Sequence, residues 1–120
     1  MSVHTYRKKP VTIEATQWTG KNVDEIQAWV GVGNGGPIVG MPLFVELEDP
    51  KIEGLWAPGD IEQWLNNGAT TLLFVAANSA WLPVEISEWI ARDRHGFYPI
   101  KDDVFLESYE KVDKCDIVGP

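Results

Sequence analysis

The chain has 120 residues, 44% of them hydrophobic, and its 18 acidic and 10 basic residues give a formal net charge of −8. This length and composition predict one domain with its own core over residues 1–120, with flexible ends at 1–5 and 112–120. The acidic excess excludes general nucleic-acid binding, because attraction to phosphate dominates that class of interaction. No stretch approaches the roughly 20 apolar residues that cross a bilayer, so we expect no membrane association.

Two further features of composition bear on the cellular setting and on binding. The single cysteine, Cys115, cannot form an internal disulfide, and the N-terminus has no apolar signal stretch, so we expect a reducing cytoplasm. Six tryptophans are many for this length and indicate a core of large rings, a binding surface, or both.

The first regular pattern is an alternation of apolar and polar side chains over residues 11–18, which predicts a strand. Its odd-numbered positions hold valine, isoleucine and alanine and would share one face. Trp18 falls on the opposite face with threonine and glutamate, which makes its ring a candidate for the surface.

A helix is expected next, over residues 23–30. Asn22 precedes it and stands three residues before Glu25, the spacing of a capping box, and Gly31 is a natural stop. The glycine-rich residues 31–36 follow a helix and precede a strand, the reverse of a phosphate-binding loop, and are interpreted as a flexible connector.

The middle of the chain predicts short elements joined by turns. A strand at 43–48 turns back towards a weaker strand at 52–56. Asp60 would cap a short helix at 61–65. Residues 70–77 are apolar at nearly every position, which is typical of a central strand covered on both faces.

The end of the chain predicts a β-hairpin over 88–100 that leads into a helix. Residues 93–96 form its turn, and Pro99 lacks a backbone donor, so the second strand should lie at an edge. Asp102 would cap a helix at 103–109.

These elements together predict an α+β fold. We expect a mostly antiparallel, curved sheet of five to seven strands, open or closed into a partial barrel, with one main helix and two short helices.

The sequence offers no constellation typical of an enzyme, a metal site or a cofactor site. Its histidines, His4 and His95, fall in a tail and in a turn, and Cys115 has no nucleophile signature around it. We therefore expect a protein that is not an enzyme and that needs no cofactor.

The basic residues, in contrast, form two clusters on an otherwise acidic chain. Compact positive charge favours a small anionic ligand or an acidic patch on a partner, provided the first strand lies beside the hairpin. Solvated charges without a ligand are the plainer interpretation. The clusters are Arg7, Lys8 and Lys9, and Arg92, Arg94 and Lys101. The predicted ligand-binding residues are Arg7, Lys9, Trp18, Trp56, Arg92 and Arg94.

Two blocks of the sequence are similar to a widespread family of small, mostly uncharacterised tailed-bacteriophage proteins. Residues 6–20 read Tyr-Arg-Lys-Lys-Pro-Val-Thr-Ile-Glu-Ala-Thr-Gln-Trp-Thr-Gly and resemble the opening of that family. The family typically closes on Gly-Asp-Trp-Ile, Gly-Glu-Phe-Tyr-Pro and Phe-x-x-x-Tyr-Glu. This chain has Trp-Ile at 89–90, Gly-Phe-Tyr-Pro at 96–99 and Phe-Leu-Glu-Ser-Tyr-Glu at 105–110. Ser87-Glu88 stands where the family usually has Gly-Asp.

The resemblance implies a phage accessory protein acting in the host cytoplasm. With the basic clusters, it suggests a protein that binds stoichiometrically and sequesters a nucleotide-derived signal of host antiviral defence. Two alternatives stay open: a module that binds and inhibits a host protein, and a minor virion component. The tryptophans also make a homo-oligomer a possible state.

Overall fold

The computed structural model describes residues 3–7, 9–33 and 40–112. Within these ranges the chain forms eight strands, three α-helices and two 3-10 turns. In chain order they are β1 (Glu14–Gln17), α1 (Val23–Val30), β2 (Val32–Gly33), β3 (Met41–Pro42), β4 (Phe44–Glu46), a 3-10 turn (Pro50–Ile52), α2 (Pro58–Asn66), β5 (Ala69–Val75), a 3-10 turn (Ala76–Asn78), β6 (Ala80–Glu85), β7 (Trp89–Asp93), β8 (Gly96–Ile100) and α3 (Asp102–Ser108).

All strand pairs among the described residues are antiparallel, which confirms the predicted α+β class. The strands are divided among three sheets, ordered β1-β7-β8, β2-β3 and β4-β5-β6, rather than gathered in one sheet. In the described part of the chain these sheets do not close into a barrel.

Strand β5 separates two clusters of buried side chains. Leu73 and Val75 belong to the first cluster, with Phe44 and Ile90, whereas Leu72 belongs to the second, with Val45. Neighbouring residues of a strand point to opposite faces, so a strand between two cores must be apolar throughout. The prediction of a central strand here is confirmed by its place between β4 and β6.

Helix α1 covers the first cluster and has the predicted bounds. Ile26 and Val30 are buried on it, and Gly31 ends it at a φ of 77°, where its amide donates to the carbonyl of Gln27 at 2.9 Å. The predicted capping box is wrong. The Asn22 side chain makes no cap bond, because its Oδ1 accepts from the amide of Thr19 at 3.0 Å instead.

The predicted strand at 52–56 is also wrong. Asp49 accepts a hydrogen bond from the amide of Lys51 at 2.9 Å and starts the 3-10 turn at Pro50, which curls the chain before it can extend. Helix α2 then begins at Pro58, so Asp60 lies inside its first turn rather than at its cap.

The hairpin matches the prediction closely. β7 and β8 pair from Trp89 opposite Ile100 to Asp93 opposite Gly96, and Gly96 has a φ of 116°, which glycine adopts without strain. β8 is an edge strand of its sheet, as Pro99 indicated.

Helix α3 follows directly, but Asp102 does not cap it. Its Oδ1 accepts from Nε1 of Trp89 at 2.8 Å and from Nε2 of Gln17 at 3.3 Å. Among the described residues, no helix has the length and apolar character needed to cross a membrane. Half of the predicted connector (residues 34–36) and most of the two predicted flexible ends (1–2 and 113–120) lie outside the described residues, and residues 32–33 of the connector form β2.

Candidate functional site

The first strand lies beside the hairpin, which was the condition for the two basic clusters to approach each other. β1 pairs with β7 so that Glu14 stands opposite Arg92 and Gln17 opposite Trp89. The chain carrying Arg7 and Lys9 therefore enters the sheet next to the strand that carries Arg92.

Arg92 lies near the end of β7, the middle strand of this sheet, and is the central cation of the region. Its guanidinium lies 5.7 Å from the centre of the Phe97 ring, directly across the hairpin, and its side chain is 51% exposed. One guanidinium nitrogen stands 3.6 Å from Oε1 of Glu14. An exposed pair of this kind contributes about 0–1 kcal/mol, so an anion can replace the carboxylate at low cost.

Arg94 lies two residues further on, in the hairpin turn, and is exposed. Its Nε donates to Nε2 of His95 at 3.2 Å. The turn itself is held by Oδ1 of Asp93, which accepts from the amide of His95 at 2.7 Å. We call the surface formed by Arg92, Arg94 and Phe97 the hairpin patch.

Arg7 and Lys9 precede β1 in an exposed segment without regular secondary structure. In the part of the chain that the structure describes, neither side chain takes part in a hydrogen bond or an ion pair. They lie upstream of the hairpin patch without a described contact to it.

Lys101 belonged to the second basic cluster in the sequence, but its charge is already matched. Its Nζ donates to Oε2 of Glu85 and lies 3.5 Å from Oε2 of Glu88. The hydrogen bond to Glu85 is the largest cause that raises the pKa of Lys101 above its ordinary value. Glu88 is 5% exposed and also accepts from the amide of Glu85 at 2.6 Å, so Lys101 pairs with the two carboxylates of the turn at residues 85–88.

The prediction that Trp18 is a surface ring is wrong. The side chain is 1% exposed, packs edge-on against Phe44 with ring centres 5.2 Å apart, and donates from Nε1 to Oγ1 of Thr70 at 2.8 Å. Trp18 borders a recess of about 190 Å³, but Glu46 and Glu48 also border it and would repel an anion.

Trp56 is half-buried in the second cluster, on a different core from the hairpin patch. Its ring packs edge-on against Trp64 and Trp81, at centre distances of 6.4 and 5.4 Å. It borders an open groove of about 380 Å³ beside α2. We call this the α2 groove, lined by Glu53, Trp56, Pro58, Ile61, Glu62 and Leu65.

Of the predicted site residues, Arg92 lies in β7 and Arg94 two residues later in the turn, whereas Trp18 is buried in the first core cluster and Trp56 packs in the second. Phe97, which supports Arg92, was missed by the sequence analysis. The hairpin register held the signal, since a two-residue turn at Arg94 and His95 puts Phe97 opposite Arg92.

Tyr98, the neighbour of Phe97 in β8, is the most strongly perturbed titratable group at this edge. Burial, followed by the charges of Tyr109 and Asp93, raises the pKa of Tyr98 to about 12. The phenol therefore remains neutral at physiological pH and acts as a packing and hydrogen-bonding group.

Two surfaces of the described chain have the exposure and the chemistry to bind a partner: the cationic hairpin patch and the apolar α2 groove. The same described residues contain no group of three or more histidine, cysteine, aspartate or glutamate side chains placed to hold a metal ion. Comparisons with protein families, with curated proteins and with solved structures return no match for this chain.

Proposed function

We propose that the protein acts by stoichiometric binding and holds a small phosphate-bearing ligand at the hairpin patch without altering it. The observation that carries this proposal is the placement of the Arg92 guanidinium over the Phe97 ring, 51% exposed on a paired strand. A planar cation supported in this way is ordered before the ligand arrives, so less conformational entropy is lost on binding.

The phosphate would be bound by the two arginines of the patch. A guanidinium presents its donors in a fork that matches two phosphate oxygens, and hydrogen bonds to charged groups contribute about 1.5–3 kcal/mol each. Arg94 can join Arg92 because its one described side-chain hydrogen bond, to His95, is exposed and uses Nε alone of its guanidinium nitrogens. Arg7 and Lys9 add positive charge along the chain that leads into β1.

A nucleotide fits this patch better than inorganic phosphate. Because the Arg92 side chain is 51% exposed, its guanidinium would offer the face opposite the Phe97 ring for stacking on a base. Bases stack on guanidinium planes as they do on aromatic rings, and a cation–π contact of this kind at an exposed site contributes about 0.5–1 kcal/mol. A cyclic nucleotide or an adenosine diphosphate ribose derivative combines a base with one or more phosphates.

The biological setting of the proposal comes from the resemblance to tailed-phage proteins. A phage accessory protein that sequesters a nucleotide-derived signal in the host cytoplasm would blunt an antiviral defence by mass action alone. Such a protein needs a ligand site but no catalytic groups, and it must be made in at least the amount of the signal.

The test is native mass spectrometry of the protein after incubation with a panel of cyclic nucleotides and adenosine diphosphate ribose derivatives, followed by heat release and chromatography. The proposal expects one ligand to be retained and recovered intact. Recovery of an altered ligand would identify an enzyme instead. Retention of none of the panel would contradict the proposal.

A second candidate is a module that binds a host protein, and the α2 groove is the observation that favours it. A pull-down from host lysate that returned one dominant protein, with the interaction lost in Ile61→Glu and kept in Arg92→Ala, would replace the ligand proposal. Detection of the protein in purified phage particles would instead support a minor virion component.

A further inference from the structure

The α2 groove is an apolar surface that the described chain leaves open. One side of α2 faces it with Pro58, Ile61 and Leu65, which are three and four residues apart and so share a stripe of the helix. Trp56 closes the other side and is held by its edge-on contact with Trp81 at 5.4 Å. A volume of about 380 Å³ is enough for one or two side chains.

The rim of this groove is acidic and has no matching cation. Glu53 and Glu62 line it and are both exposed, and no ion pair among the described residues involves either of them. The sequence from Ile52 to Ala91 contains no lysine or arginine at all. An occupant should therefore present apolar side chains to the groove and positive charge to its rim.

The chain carries one segment with this chemistry. We call residues 3–7 and 9–13 the N-terminal arm. Val3 is 78% exposed, Tyr6 is 86% exposed and Val11 is 59% exposed, so the arm supplies three of the eight large hydrophobic side chains that the described structure leaves exposed. Arg7 and Lys9 stand between these side chains, and both are exposed.

We infer that the α2 groove of one copy of this chain binds the N-terminal arm of a second copy. Tyr6 or Val11 would enter the apolar groove, where burial of an exposed side chain contributes about 1.5–3 kcal/mol. Arg7 and Lys9 would then pair with Glu53 and Glu62 at the rim. The arm does not occupy the groove of its own copy, since Tyr6 is 86% exposed.

Reciprocal exchange makes this contact a closed dimer. Each copy has one arm and one groove, so two arms fill two grooves about a two-fold axis and no further copy can add. An extended arm of about 10 residues can reach roughly 33–36 Å from the start of β1.

The inference goes beyond ligand binding and does not depend on it. The hairpin patch keeps Arg92 and Arg94 whether the arm is exchanged or not, and the ligand proposal is tested at these two arginines rather than at Arg7 and Lys9, which both proposals use. If the ligand proposal fails, the wild-type chain retains no nucleotide but is still a dimer by light scattering. If the present inference fails, the chain has the mass of a monomer whether or not it retains a nucleotide.

Charge reversal with rescue tests the inference, using the full chain and light scattering over a range of concentrations. The wild-type chain should be a dimer that dissociates on dilution and at high salt. Arg7→Glu with Lys9→Glu should raise the dissociation constant at least tenfold, and so should Glu53→Lys with Glu62→Lys. The control Glu107→Lys with Glu110→Lys changes the net charge as much as the groove pair at two other exposed positions and should leave the dimer intact.

Rescue separates docking from any general effect of charge or folding. In a mixed dimer of the arm-reversed and groove-reversed chains both contacts carry opposite charges, one with the wild-type polarity and one with the reversed polarity, so an equimolar mixture should recover the dimer. All four mutated side chains are exposed, so each variant should keep the wild-type circular dichroism spectrum. A monomeric wild type at every concentration would overturn the inference. So would a dimer that neither reversal weakens, or two weakened variants that do not rescue each other.

Discussion

The indole of Trp18 donates its only polar hydrogen to Oγ1 of Thr70 at 2.8 Å from a position where the side chain is 1% exposed. Thr70→Val keeps the shape of the partner and removes the acceptor. A buried donor left without a partner costs about 1–3 kcal/mol, and we expect that loss in the free energy of unfolding measured with urea. Thr12→Val, at an exposed position, should change the free energy of unfolding by less than about 0.5 kcal/mol. Equal effects of the two substitutions would contradict the account.

Tyr98 predicts a pH dependence of stability. Burial, assisted by the charges of Tyr109 and Asp93, raises the pKa of Tyr98 to about 12 from the ordinary value of 10.0. The folded state favours the neutral phenol, so this contribution is complete below pH 10 and is lost as the pH rises towards 12. The slope over that window is at most about 1.4 kcal/mol per pH unit.

The measurement is an alkaline absorbance titration combined with urea unfolding at about pH 9 and about pH 11. One of the three tyrosines should ionise near pH 12, and Tyr98→Phe should remove that transition. Tyr98→Phe should also lose less stability than the wild type between the two pH values. Tyr6→Phe, on the exposed arm, should follow the wild type. A Tyr98→Phe chain that loses as much stability as the wild type would refute the assignment.

The alternation over residues 11–18 explains why the position of Trp18 was not predictable. The alternation places Trp18 on the same face of the strand as Thr16, a polar residue, and this face was therefore expected to be exposed. In the sheet, however, Thr16 stands opposite Ile90, which is fully buried, so this face turns towards the core where Trp18 lies. The alternation within one strand does not show which of its faces the neighbouring strand and the core will bury.

At the scale of an element, α3 is fixed to the sheet by one carboxylate. Asp102 accepts from Trp89 at 2.8 Å and from Gln17 at 3.3 Å, and the Phe105 ring stacks on Trp89 with centres 4.1 Å apart. Asp102→Ala removes both bonds and should increase hydrogen exchange of the α3 amides roughly tenfold or more. Asp103→Ala, exposed in the same helical turn, should change exchange much less. Equal exchange in the two variants would mean that α3 is held by the ring stack alone.

A substitution in the turn before the hairpin should stabilise the chain rather than destabilise it. Ser87 has a φ of 88°, and its amide donates to the carbonyl of Trp18 at 2.8 Å. Glycine adopts this φ without strain, so Ser87→Gly should raise the free energy of unfolding by up to about 1 kcal/mol. Ser108→Gly, at the exposed end of α3, should lower it by about 0.5–1 kcal/mol. Chemical denaturation distinguishes the two signs, and a destabilised Ser87→Gly chain would show that the serine side chain has a role of its own.

The elements that the sequence predicted well are those with a strong local signal. The apolar run of β5, the turn at Arg94 and His95, and the Gly31 stop of α1 all depend on residues that are neighbours in the chain. The segment 52–56 was predicted as a weaker strand because the chain was expected to turn back after the strand at 43–48. Instead, the Asp49 side chain starts a 3-10 turn. Ile52, Leu55 and Trp56 then pack in the second core cluster.

At the scale of the whole molecule, the two candidate binding surfaces, the hairpin patch and the α2 groove, lie on different sheets. The β1-β7-β8 sheet carries Arg92 on β7, its middle strand, and Arg94 in the turn that follows, and the β4-β5-β6 sheet packs against Trp56, which lines the α2 groove. Both arginines were proposed as ligand-binding residues from their clustering in the sequence. The sequence could not assign Trp56 to the other surface, because that assignment depends on which core each sheet buries.

The proposed ligand site is tested most directly by titration calorimetry of the nucleotide that native mass spectrometry identifies, with Arg92→Ala combined with Arg94→Ala. Two charge-assisted contacts of about 1.5–3 kcal/mol each predict a dissociation constant at least a hundredfold higher than in the wild type. Lys21→Ala combined with Lys51→Ala removes the same charge at two exposed positions away from the patch and should change it less than about threefold. Equal binding by the arginine variant and the wild type would contradict the account, since the hairpin patch would then not be the site.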